Sequence, residues 1–80
     1  MYISEAVVKR IFELCGERGI TVNALSNQSG ITQSTVSNIV NGETQNAGVA
    51  TIKKLCDGFN ISIRDFFDSE LFDDLEQEVR

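Results

Sequence analysis

Residues 21–42, TVNALSNQSGITQSTVSNIVNG, constrain this chain most, because they carry their own punctuation. Thr21 and Thr32 each stand where a hydroxyl can accept from a free N–H in the first turn of a helix. Gly30 falls between them and punctuates the middle of the stretch. The stretch predicts two short helices, about 22–28 and 32–40, joined by a tight turn. Leu25, Ile31, Val36 and Ile39 supply the inward contacts, and Val36 and Ile39 share a face at i, i+3.

The opposite face of helix 32–40 carries Gln33, Ser34, Ser37 and Asn38, dense in amides and hydroxyls and free of charge. Solvated faces more often carry Lys and Glu. An uncharged amide-and-hydroxyl face is what direct reading of base edges in a major groove requires, although each residue singly also suits plain solvation.

These residues resemble the helix-turn-helix of the phage-repressor (Cro- and XRE-like) family of DNA-binding regulators. Ser26 matches its small residue in the first helix, Gly30 its turn glycine, Thr32 the start of its recognition helix, and Asn41-Gly42 the pair that closes it. Downstream, TIKKLCDGFNISIRDFF is similar to the family's fourth and fifth helices, so the resemblance spans roughly residues 7 to 67. It implies an all-α, five-helix domain over 1–67. By position, Gln33, Ser34, Thr35, Ser37 and Asn38 would meet bases. Thr21, Val22, Asn23, Thr32, Asn41, Thr44 and Gln45 would meet phosphates. Gln and Asn suit adenine and no Arg is present to seek guanine, so an A·T-leaning operator is expected. This chain departs from the family at Ser29, where an apolar residue is usual, and at Glu43, where a cation is usual. It departs again at Cys15 and Val40, where an Arg–Glu pair is usual. We expect Cys15 and Val40 to touch instead.

The flanking helices follow from periodicity. Ser4 caps a helix to about Arg18 whose inward stripe is Val8, Ile11, Phe12 and Cys15, with Leu14 at its edge and Gly19 ending it. Asn46 caps a helix from about Ala47 to Phe59 with Val49, Ile52, Leu55, Cys56 and Phe59 inward; Asn60 stops it. Ser62 and Asp65 then form an S-x-x-D capping signal for a fifth helix with Ile63, Phe66 and Phe67.

The net charge of −5 would repel phosphates, but its distribution matters. Residues 1–66 hold six cations and six anions, whereas residues 67–80 hold six acids against Arg80 alone. The adjacent basic pairs Lys9-Arg10 and Lys53-Lys54 could reach DNA, with solvated surface the favoured reading. The acidic tail, 68–80, carries an amphipathic stripe at Leu71, Phe72, Leu75 and Val79. We expect a sixth helix that dimerises the protein through these residues and Phe67. Packing on its own domain, fraying, or binding another protein remain open.

Other chemistry is poorly served. The chain has no His, and Cys15 and Cys56 form no CxxC, so buried reduced thiols are expected rather than a metal site. No nucleophile–base pair or phosphate loop suggests an enzyme, and no cofactor or small-molecule ligand is implied. The absence of a long apolar run or signal-peptide pattern points to a cytoplasmic protein. The function expected is a DNA-binding transcriptional regulator, a repressor acting as a homodimer on a two-fold operator. The competing reading is a protein-interaction module on the same fold, antitoxin-like or a regulatory subunit, acting through the acidic tail.

Overall fold

The computed structural model describes residues 1–44 and 46–79. Gln45, an expected phosphate contact, and Arg80 lie outside the described residues. Among the described residues the chain is all-helical. Five α-helices run in order: α1 (Ile3–Arg18), α2 (Val22–Ser29), α3 (Gln33–Val40), α4 (Val49–Phe59) and α5 (Ile63–Phe67), followed by one 3₁₀ turn, Glu70–Phe72.

The stops and starts are mostly local chemistry. Gly19, Gly30 and Asn60 all take left-handed backbone, at φ 64°, 66° and 60°, and so end α1, α2 and α4. Thr21, Thr32 and Ser62 cap α2, α3 and α5, accepting from the N–H of Ala24, Thr35 and Asp65. Two expected caps are not used. Tyr2, not Ser4, stands at the start of α1, and Gly48, not Asn46, at the start of α4; neither caps its helix with a side-chain bond.

One core joins the elements, with Ile11, Leu25, Val36, Leu55, Cys56 and Phe66 fully shielded at its centre. Helix α4 packs chiefly on α2, and α3 leans on α2 and α1. The inward stripe of α1 is rotated from the expected one. Ala6, Val7, Arg10, Ile11, Leu14 and Cys15 are buried, Val8 only packs at the margin, and Phe12 is 50 % exposed. Val49 likewise turns outward, 78 % exposed, because α4 begins at that residue and its first turn overhangs the core.

Arg10 is neither a solvated cation nor available to a phosphate. It is buried, and its guanidinium reaches the far end of the chain. Nε donates to Phe66 O at 2.6 Å, Nη2 donates to Asp65 O at 2.8 Å, and Nη1 pairs with Glu13. These carbonyls belong to the last turn of α5; Asp65 O also accepts from Asp68 N at 3.3 Å, whereas Arg10 is the partner of Phe66 O. A cation there also complements the negative end of the helix dipole.

The tail does not form a sixth α-helix. It makes the single 3₁₀ turn, which rests on α1, and Glu76 N donates to Met1 O at 3.0 Å. The reason is aromatic. Phe72 puts its ring 4.9 Å from Phe67 and 6.3 Å from Phe66, edge-to-face with the former, and this docking pins the chain before a second helical turn can form.

Candidate nucleic-acid interface

The surface built by α2, the turn and α3 is held from beneath. Val36 and Ile39 are buried, and so is Leu25 on α2. Ser26 is 3 % exposed, yet its hydroxyl donates to Asn23 O at 2.7 Å, so a small polar residue occupies the interior without an unmet donor. The turn closes when Ile31 N donates to Ser26 O at 3.2 Å, across Gly30.

Above this base, Gln33, Ser34, Thr35 and Asn38 are all exposed and Ser37 is half-buried. Thr32 organises the first turn: its Oγ1 accepts from Thr35 N at 3.3 Å and bonds Thr35 Oγ1 at 2.7 Å. Two of the hydroxyls at this helix start are therefore locked to each other, while Gln33 projects free. At the other end, Asn41 has helical backbone and Gly42, at φ 79°, turns the chain. Glu43 N and Thr44 N then both donate to Asn38 O, at 2.9 and 3.0 Å.

The expected phosphate contacts fall on both flanks of α3. At the start of α2, Thr21 and Asn23 are exposed and Val22 is half-buried against the core. After α3, Asn41 and Thr44 are exposed. Lys9, expected as solvated surface, also lies near these residues. It is exposed and shares a depression of about 340 Å³ with Glu5, Val40, Asn41, Gly42 and Thr44, so α1 places one cation and one anion beside the loop that follows α3. Only the packing of α1 on α3 brings the two together. Lys53, by contrast, pairs with Asp57 along α4. Cys15 is in the core and Val40 packs against its margin.

The five residues expected to dimerise the chain are split. Phe67 and Phe72 pack on the protein's own core, Leu71 and Leu75 are half-buried, and Val79 is 85 % exposed. Beside Phe67 lies an apolar groove of about 240 Å³ bordered by the exposed Ile3, Val49 and Ile63.

The described residues contain no cluster of three or more His, Cys, Asp or Glu side chains able to hold a metal ion. Cys15 and Cys56 are free and buried. Burial raises both thiols above their ordinary value; at Cys56 that desolvation outweighs the opposing pull of Lys53. No helix among the described residues is long and apolar enough to cross a membrane.

A capped two-helix unit seated on a small helical core, with its second helix presenting uncharged hydrogen-bonding groups, defines a helix-turn-helix DNA-binding domain whose partner is double-stranded DNA. The chain belongs to the Cro/C1-type helix-turn-helix DNA-binding domain family, whose profile matches residues 10–70. Comparison with the curated proteins and with the solved structures returned no match.

Proposed function

We propose that the protein is a sequence-specific transcriptional regulator, a repressor, that lays α3 in the major groove of an A·T-leaning operator. The observation that carries this is the division of α3: Val36 and Ile39 buried, Gln33, Ser34, Thr35 and Asn38 exposed and uncharged. Gln33 offers both amide atoms to adenine, whereas the Thr32–Thr35 hydroxyl pair stiffens the helix start. The free N–H groups at the start of α2, with Thr21 and Asn23, face one phosphate, and Thr32, Asn41, Thr44 and Lys9 face others.

So few cations make a single domain a weak binder, and a second subunit would supply both affinity and length of recognition. A homodimer on a two-fold operator, its half-sites one helical turn apart, meets that need. The groove beside Phe67 is the better seat for it, because the tail's own aromatics are engaged within the chain. We place this activity in the cytoplasm, where two reduced, buried thiols persist.

Selection from random duplexes at low salt tests the reading. An enriched A·T-leaning palindrome, lost with Gln33→Ala, supports it. No enriched sequence, or G·C-rich half-sites insensitive to Gln33→Ala, would defeat it.

A further inference from the structure

Glu43 looks at first like a simple liability, an anion where a phosphate would pass. Its contacts give it another task. With the Asn38 amide turned so that donor meets acceptor, Asn38 Nδ2 donates to Glu43 Oε2 at 2.8 Å and to Ser34 O at 3.3 Å. The backbone repeats the tie, since Glu43 N donates to Asn38 O. A side-chain amide nitrogen has two hydrogens, and both are spent inside the chain. What remains for a ligand is the Oδ1 acceptor.

That changes what Asn38 can read. An unconstrained Asn pairs with adenine through both atoms, accepting from N6–H and donating to N7. An Asn whose nitrogen is held can only accept, and two bases offer a major-groove amine: adenine at N6 and cytosine at N4. Resting on the assignment of α3 as the reading helix, we propose that Glu43 is a specificity-determining residue: it holds Asn38 as an acceptor-only reader of exocyclic amines, so that position of the site admits A or C. The residue need not touch DNA to do this. Its charge weakens binding everywhere, while its grip on Asn38 acts at one base pair.

Two variants separate the charge from the grip. Glu43→Gln keeps an acceptor for Asn38 Nδ2 and removes the charge; Glu43→Ala removes both. In binding-site selection, Glu43→Gln should raise affinity with the base preference unchanged. Glu43→Ala should also narrow one position to adenine, by roughly tenfold over cytosine, as a bidentate contact becomes available. Equal gains from both variants with every preference unchanged would overturn the proposal alone. A wild-type chain that selects no sequence would overturn the assignment of α3 together with it. The grip can also be read without DNA. In the free protein, the Asn38 side-chain amide hydrogens should exchange with water more slowly than those of the exposed Asn23 and Asn27, and Glu43→Ala should abolish the difference. Exchange at Asn38 indifferent to Glu43→Ala would show that the tie does not exist.

Discussion

Gly58 on α4 lies so close to Ser29 on α2 that a methyl group built on Gly58 would stand 2.1 Å from Ser29 Oγ and 3.1 Å from its Cα. The missing side chain is what lets the two helices meet. Ser29 Oγ is buried in this contact with no hydrogen-bond partner among the described residues. In an ordinary helix interior Gly→Ala gains about 1 kcal/mol. Here overpacking costs roughly 1–3 kcal/mol, so Gly58→Ala should destabilise by about 1 kcal/mol net in urea denaturation. Ser29→Ala removes an unmet hydroxyl and should stabilise by about 1 kcal/mol. In that background the cost of Gly58→Ala should shrink, because the nearest obstructing atom is gone. Purely additive effects would show that the two residues do not interfere.

The Arg10 guanidinium gives a second prediction. Arg10→Ala strips three hydrogen bonds and leaves the Phe66 carbonyl unmet at the end of α5, while Asp65 O keeps its bond from Asp68 N. A buried group left without a partner costs about 1–3 kcal/mol, so a loss of about that size is expected in denaturant. Arg10→Lys should recover little, since an ammonium cannot span two carbonyls and Glu13 with the geometry of a planar fork. Full recovery by Lys would mean that the charge, not the fork, matters.

How much of this was legible in the sequence depends on how local the cause is. The α2–turn–α3 unit was readable because its caps and its glycine act within three or four residues. The facing of α1 was not, because the stripes through Val7 and through Val8 share Ile11 and Cys15, and only the tertiary core chooses between them. The burial of Arg10 answers to carbonyls 55 and 56 positions away. The tail's pattern was real but ran over too few residues to sustain a helix alone, and a non-local aromatic contact decided its shape. Within the site, the exposed polar residues could be foreseen by period. Glu43 could be seen only as a charge, since its bond to Asn38 depends on how the chain turns at Gly42.

Phe72 tests whether the tail belongs to the fold. Its ring closes an aromatic trio with Phe66 and Phe67, and the ring is half-buried. Phe72→Ala should cost about 1–3 kcal/mol, less than a fully buried Phe, with DNA affinity unchanged at temperatures where the variant is folded. A tail that served only to join subunits would instead show unchanged stability of the monomer and a weaker dimer by analytical ultracentrifugation.

The thiols set a limit on alkaline stability. Burial raises Cys15 and Cys56 above the usual 9.0, so the unfolded chain gives up these protons at lower pH than the folded one. The contribution is intact below about pH 9 and is lost as pH rises past it. Denaturation midpoints measured from pH 7 to 10.5 should fall above pH 9, more steeply than in Cys15→Ala/Cys56→Ala. Parallel slopes would show that the thiols carry none of the decline. Native protein should also react slowly with thiol reagents at pH 7, because both groups are shielded and protonated.

Lys9 and Gln33 should fail in different ways. Lys9 borders the loop after α3 and can offer only a point charge, whereas Gln33 can offer both a donor and an acceptor to one base. Lys9→Ala should therefore weaken binding to every sequence alike and lower the slope of log affinity against log salt by about 1. Gln33→Ala should leave that slope unchanged, cost roughly 1–3 kcal/mol on the selected operator alone, and relax the preference at one base pair. Both side chains are exposed and neither should alter folding stability beyond about 0.5 kcal/mol. Titrations over a range of salt, on the operator, its single-base variants and an unrelated duplex, check the binding outcomes, and urea denaturation checks the stability. A salt slope untouched by Lys9→Ala would remove Lys9 from the phosphate contacts, and a uniform loss from Gln33→Ala would mean that α3 does not read sequence there.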